Sequence, residues 1–206
     1  QHIELGITTV DHAHVYAFDR EFGCEALFGQ TLALAPQLRE KIQIVTKCGI
    51  ELFESGSAKV NHYDSSAETV ENSVDCSLRR LGVEQIDVLL IHRPDWLMDV
   101  DELADAFIRL QQAGKVAHFG VSNFTPSQFE LLQSRLKSNL VTNQIEINPI
   151  NFDAINNGTL DQMQQRRVRP MAWSCLAGGM IFDASTDRLS RLNQCLFQVA
   201  EELEVK

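Results

Sequence analysis

At the ends of its short apolar runs this chain carries side chains able to move protons, stabilise developing charge and stack on a flat ligand. Asp11 closes the first run, Thr46 and Lys47 the second, His92 and Arg93 the third, and Ser122 and Asn123 the fourth. The fifth carries Asn143, Gln144 and Asn148, and the sixth ends in Trp173 and Ser174. In a parallel α/β sheet, chemistry concentrates at the carboxyl edge of the strands. An acid, an amine, an imidazole, amides, hydroxyls and an indole therefore share one rim if these strands close into a barrel. Each also has a structural reading: Asp11 can cap a turn, Lys47 can snorkel from a strand end, and His92 can be a satisfied core group. No G-x-G-x-x-G follows a strand, and G-x-x-x-x-G-K-[ST], G-x-S-x-G and H-E-x-x-H are all absent. These absences disfavour a Rossmann site, a phosphate loop, a serine hydrolase and a zincin.

The elements that must position these residues alternate, short apolar run then amphipathic segment, which predicts parallel β/α units. Strands are expected at Ile7 to Asp11, Ile42 to Cys48, Val88 to Ile91, Val116 to Val121, Leu140 to Ile147 and Arg169 to Cys175. Helices are expected near Glu25 to Ala35, Ala67 to Leu81, Asp99 to Ala113, from Pro126 onward, Leu160 to Gln165 and Arg188 to Leu203. A polar loop through His62, Tyr63 and Asp64 precedes the second of these. Ser65 and Glu68 are spaced as a capping box for it, its inner face is Val70, Val74, Leu78 and Leu81, and Gly82 is its stop. Asp99 with Glu102, and Thr125 with Gln128, repeat the capping pattern. Leu103, Ala106, Phe107 and Leu110 form the buried stripe of one of those helices, and Phe129, Leu132 and Leu136 that of the other.

Six strands and six helices fall two units short of a TIM (β/α)8 barrel, which needs about 250 residues. The sequence opens abruptly at Gln1 and closes in an unfinished helical run, Glu201 to Lys206. The expectation is a single partial barrel domain over residues 1–206, lacking the first and last β/α units. An open doubly wound sheet of six strands also suits the length.

Composition narrows the partners. With 206 residues, 44% hydrophobic and 22% charged, the chain can bury one ordinary core. A net charge of -10 without a sustained basic run argues against nucleic acid. No stretch approaches the roughly 18 apolar residues of a spanning helix, so a cytoplasmic protein without a membrane partner is expected. Cys24, Cys48, Cys76, Cys175 and Cys195 are odd in number and scattered, which supports neither a disulfide framework nor a metal site and suggests mostly core residues in a reducing compartment.

Taken in order, the motifs resemble those of the aldo-keto reductases. Asp11-His12-Ala13-His14-Val15-Tyr16 followed by Gly23 to Gly29 is similar to that family's D-x-A-x-x-Y and E-x-x-x-G stretch. Val45-Thr46-Lys47 resembles its lysine strand and Ile86 to Asp95 its histidine strand. Gly114-Lys115-Val116 through Gly120-Val121-Ser122-Asn123-Phe124 resembles its G-K-x-R-x-x-G-x-S-N-F segment. Asn143 to Glu146 and Ala172 to Leu176 resemble its N-Q strand and its cofactor loop. The likeness runs from about Gly6 to Gly179. It is closest to a bacterial subgroup, on Thr46 to Ile50 and Arg169 to Leu176. Ala17 stands where a glycine commonly follows the tyrosine, and Phe18 to Phe22 reads as an insertion. Both departures bear on the substrate mouth rather than on the catalytic group.

The resemblance implies an NADP(H)-dependent oxidoreductase reducing aldehyde or ketone carbonyls, with Asp11, Tyr16, Lys47 and His92 as catalytic group. Hydride delivery builds negative charge on the carbonyl oxygen, so a proton donor must sit within about 3 Å, and a phenol is a reluctant one. A lysine ammonium beside it favours the phenolate, and a carboxylate keeps that lysine charged and oriented. Those roles fall to Tyr16, Lys47 and Asp11, while His92 would hydrogen-bond the substrate carbonyl. The resemblance further implies Ser122, Asn123 and Gln144 on the nicotinamide carboxamide, Trp173 under the ring, and Ser174 and Leu176 near the pyrophosphate. The implied partner is a small-molecule carbonyl substrate, and the implied assembly is a monomer or weak homo-oligomer. Three alternatives stay open: a non-catalytic nicotinamide-binding regulatory subunit of the same fold, a Schiff-base lyase built on Lys47, and a partial barrel that, lacking two units, binds nothing.

Overall fold

In the computed structural model, residues 2–16, 23–52 and 60–205 are described. They fall into two compact units that divide between Asn143 and Gln144. The departures at Ala17 and Phe18 to Phe22, and the terminal Lys206, lie outside the described residues.

The first unit holds β1 (Thr9–Asp11), α1 (Gly23–Leu34), β2 (Gln43–Cys48), β3 (Ile50–Glu51), β4 (His62–Tyr63), α2 (Ala67–Leu81), β5 (Ile86–Ile91), α3 (Val100–Gln112), β6 (Val116–Ser122) and α4 (Pro126–Gln133). Strands β1, β2, β5 and β6 lie side by side in that order, all parallel. Asp11 is registered with Val45, Cys48 with Ile91, and Ile91 with Val121, so the carboxyl ends of all four strands share one edge. Ile44, Val45, Leu89, Leu90 and Ile91 are buried on consecutive positions, because helices cover one face of the sheet and strand side chains fill the other.

The helices dock largely through the faces expected of them, except that Ser77 and not the half-buried Leu78 is buried on α2 and that Leu136 lies beyond the end of α4. Val70, Val74 and Leu81 of α2 and Leu103, Ala106, Phe107 and Leu110 of α3 are buried. Phe107 stacks on Phe119 of β6 with ring centroids 4.0 Å apart, and burying a ring of this size contributes on the order of 2 to 3 kcal/mol. Gly29 of α1 meets α2 so closely that a Cβ there would overlap the Arg80 carbonyl. The α4 capping box forms as expected between Thr125 and Gln128.

Three local expectations are corrected. The segment expected as loop contains an antiparallel ribbon, β3 with β4, which pairs Ile50 with Tyr63 and Glu51 with His62. The cap of α2 is Ser66, which accepts from the Thr69 N–H, because Ser65 is drawn to the next loop and donates both its N–H and its hydroxyl to Asp95. Asp99 caps α3 by accepting from Asp101 and Glu102, but the Glu102 carboxylate accepts the Ala67 N–H of α2 instead of closing a box.

The second unit holds β7 (Asn143–Glu146) from Gln144 onward, α5 (Asp153–Asn156), α6 (Thr159–Arg166), β8 (Met171–Trp173) and α7 (Asp187–Glu202). β7 and β8 are parallel, with Gln144 registered on Met171 and Glu146 on Trp173. Ile145, Ala154 and Met163 form its small core. The short α5 was not foreseen, since four residues carry no periodicity to read. Among the described residues no helix is long and apolar enough to cross a membrane, and no group of three or more His, Cys, Asp or Glu is arranged to hold a metal ion.

Candidate active site

Beyond the last paired residues of β1 and β5, the backbone ladder continues onto β2. The His12 N–H donates to the Val45 carbonyl at 2.8 Å, the His14 N–H to Lys47 at 3.2 Å and the His92 N–H to Cys48 at 2.9 Å. These bonds hold the two loops against β2 as they leave the sheet edge. A turn closed by the Tyr16 N–H on the Ala13 carbonyl, 3.0 Å, brings the tyrosine over the same edge.

Side-chain alternation along β2 separates two buried polar groups. Lys47, fully buried, faces the Asp11–Tyr16 loop, while Thr46 faces α1 and donates its hydroxyl to the buried Glu25 at 2.6 Å. Glu25 also pairs with Arg80 of α2 at 3.4 Å. Lys47 Nζ lies 2.9 Å from each Asp11 carboxylate oxygen, 2.8 Å from the His12 carbonyl and 3.0 Å from the Tyr16 Oη. Its three N–H groups thus meet a carboxylate, a carbonyl and a phenol oxygen. An amine committed in this way offers no lone pair to a carbonyl carbon, which weighs against the Schiff-base alternative.

His92 completes the group, its ring edge-on to Tyr16 with centroids 5.8 Å apart and planes at 79°. Burial, reinforced by the positive charges of Lys47, Arg93 and His14, lowers its pKa to about 3. The imidazole is therefore neutral near pH 7. Its Nδ1 is buried with no hydrogen-bond partner among the described residues. Burial likewise lowers His12 against the opposing charges of Glu25 and Asp11, and its ring packs on Phe28.

Next along the edge, Ser122 is buried and Asn123 takes φ 61. Asn123 Nδ2 donates to Ser122 Oγ at 2.8 Å and to the His92 carbonyl at 3.4 Å. Asn143 serves the backbone rather than a ligand, donating to the Phe124 carbonyl at 2.8 Å. In the second unit Gln144 is buried, Trp173 is half-buried and the Leu176 side chain is exposed. Ser174, at φ 53, offers its carbonyl to Asn148 Nδ2 and to the Ala177 N–H. That places Asp11, Tyr16, Lys47, His92, Ser122 and Asn123 along one edge of the first unit, and Gln144, Trp173, Ser174 and Leu176 on β7, β8 and the loop that follows β8.

Residues 1–203 match the profile of the Aldo/keto reductase family. The chain belongs to that family. This aldo/keto reductase is 53% identical to the oxidoreductase YdhF of Escherichia coli over 203 residues, 98% of the chain and 66% of YdhF. It is 48% identical to the 6-dehydroglucose reductase of Agrobacterium fabrum over 182 residues, 87% of the chain and 60% of that protein. It superposes on the crystal structure of a thermostable aldo-keto reductase with a TM-score of 0.79, at 24% identity, covering 99% of this chain and 66% of that one. The fold is accordingly the α/β barrel fold of these enzymes, and the family is one of oxidoreductases. The chain spans about two thirds of the length of the curated relatives it matches.

Some contributors to the candidate site escaped the sequence reading. The His12 carbonyl on Lys47, and Glu25 on Thr46, act through backbone geometry or from the far side of a strand. The period-2 alternation around Lys47 is the signal that could have shown Thr46 facing away from the site, toward Glu25. Cysteines are corrected as well: Cys48 alone is buried, with its thiol pushed up to about 12 by burial, while Cys175 and Cys195 are exposed.

Proposed function

We propose that this chain carries the catalytic group of an NADP(H)-dependent reductase of aldehyde and ketone carbonyls, with Tyr16 as general acid. The supporting observation is that Lys47 Nζ is shared between the Asp11 carboxylate and the Tyr16 Oη at 2.9 and 3.0 Å. Tyr16 hands its proton to the carbonyl oxygen, and the lysine N–H already aimed at the phenol oxygen stabilises the phenolate left behind. Asp11 keeps Lys47 charged and fixes its direction. His92, neutral near pH 7, acts as a hydrogen-bonding group toward the substrate carbonyl and not as the acid. Tyr16 is 36% exposed, so the phenol is within reach of a substrate.

The donor set suits a nicotinamide dinucleotide. In the first unit Ser122 and Asn123 offer a hydroxyl and an amide of the kind a carboxamide requires; in the second, taken by itself, Gln144 offers an amide and Trp173 a flat surface for stacking. After Ser174, Ala177, Gly178 and Gly179 take φ 50, 63 and 92, and a Cβ added at either glycine meets nothing within 4 Å. Such left-handed backbone beside open space is the shape that receives phosphate oxygens, in keeping with Ser174 and Leu176 as pyrophosphate neighbours. The cofactor, when bound, supplies the hydride. The preference for NADP(H) follows the family likeness, and the A. fabrum relative named as a 6-dehydroglucose reductase supports a small carbonyl substrate.

The test is NADPH oxidation by the full chain against a panel of aldehydes and ketones, beside Tyr16→Phe. Turnover in the wild type with a loss of at least about 100-fold in the variant is expected. No turnover with any carbonyl, or equal turnover in the variant, overturns the reading.

A further inference from the structure

His14 lies two residues before Tyr16, the proposed proton donor, and its ring has an arrangement that a neutral imidazole cannot satisfy. Nδ1 lies 2.9 Å from the Lys47 carbonyl oxygen and Nε2 lies 2.7 Å from the Ile50 carbonyl oxygen. Both partners only accept hydrogen bonds, whereas a neutral imidazole has one N–H and one lone pair. In either tautomer a nitrogen lone pair would face a carbonyl oxygen at contact distance. Both contacts become hydrogen bonds only when both nitrogens carry hydrogen.

The surroundings suit a cation there. His14 lines a cavity of about 460 Å³ with Glu51 and His62 of the ribbon and with Asp64, Glu68 and Arg80 at and along α2. Three carboxylates thus oppose one guanidinium on the cavity wall. From β2 comes Lys47, already tied to Asp11, and from the end of β5 comes His92, which is neutral near pH 7.

We propose that His14 is a positioning residue: as an imidazolium it clamps the Tyr16 turn to the backbone on both sides of the Gly49 corner. This rests on Tyr16 being the proton donor. The His14 backbone N–H also binds the Lys47 carbonyl, and the Tyr16 N–H closes on Ala13 in the same turn, so ring and backbone together hold residues 13–16 against β2. The clamp thereby sets the phenol over Lys47 Nζ without touching the substrate itself. Deprotonation of His14 loses one of the two ring bonds and loosens the turn.

The experiment uses the full chain. Imidazole nitrogen NMR at pH 7, with the His14 signals assigned by their disappearance in His14→Gln, is expected to show both nitrogens protonated. Amide exchange of Tyr16 is expected to quicken on the order of tenfold in His14→Ala and to recover in part in His14→Gln, which restores a donor toward one carbonyl. If the carbonyl panel gives turnover, kcat should fall on the order of tenfold in His14→Ala with KM changed less than about twofold. A single protonated nitrogen at pH 7, or unchanged Tyr16 exchange in His14→Ala, overturns the clamp whether or not the wild type turns over. Absence of turnover in the wild type, with both NMR results as expected, overturns the reductase reading and leaves the clamp standing.

Discussion

Tyr16 and Lys47, thirty-one residues apart in the sequence, meet at 3.0 Å between phenol oxygen and ammonium nitrogen. The lysine comes from inside β2 and is fully buried, whereas the tyrosine comes from a turn and is 36% exposed. A rigid, protected base of charge thus supports a phenol that a substrate can reach.

Lys47→Met keeps the side chain as far as its fourth atom and removes the ammonium with its three donors. Because the ammonium acts on the phenolate as it forms, the loss should appear in kcat rather than KM, by about 100-fold or more, in steady-state assays with any carbonyl that the wild type reduces. Loss confined to KM would assign Lys47 to substrate binding.

Asp11→Asn leaves that buried ammonium facing a neutral amide. Asp11 itself is partly exposed, its side chain at 37%, so water screens part of the change and a destabilisation of about 2 kcal/mol is expected, less than for a fully buried pair. Urea unfolding of the two proteins at pH 7 measures it directly.

Glu25→Ala should destabilise the fold by about 2 to 3 kcal/mol, since it strands the Thr46 hydroxyl, removes the partner of Arg80 and opens a void behind β2. Thr46→Val in the same background should then cost little more, as the two residues share one interaction. Additive losses in the double variant would show that the pair is not coupled.

His92 gives stability a defined pH dependence. Its folded value is lowered to about 3 from 6.5, so between those values the unfolded chain binds a proton that the folded chain refuses. Its effect is absent above pH 6.5 and grows as the pH falls toward 3, with a slope of up to about 1.4 kcal/mol per pH unit. His92→Gln should flatten the fall in urea midpoint between pH 7 and pH 5, and an unchanged slope would place the proton uptake elsewhere, His12 being the next candidate.

Thiol labelling reads burial independently. At pH 8 in the native state, iodoacetamide followed by mass spectrometry should modify Cys175 and Cys195 and spare Cys48, whose thiol is fully buried and raised to about 12. Labelling of Cys48 at the same rate would mean that β2 opens readily.

Read alone, the residues established the alternation of β and α elements, the carboxyl-edge positions of Asp11, Lys47, His92, Ser122 and Asn123, and the family likeness. Strand periodicity, caps and motif order are local properties of a chain, and they are written in residue types. The sequence was less informative where a residue had two possible partners. Ser65 and Glu102 have the spacing of caps, but Asp95 and the Ala67 N–H, distant in sequence, compete for them and win. Only the tertiary structure could decide that Lys47 spends its three donors on Asp11, His12 and Tyr16, that Glu25 anchors the far side of the same strand, and that both nitrogens of His14 face carbonyl oxygens. These are contacts between elements, fixed by strand register and by how closely α1 and α2 approach at Gly29, and no pattern within a single segment encodes them.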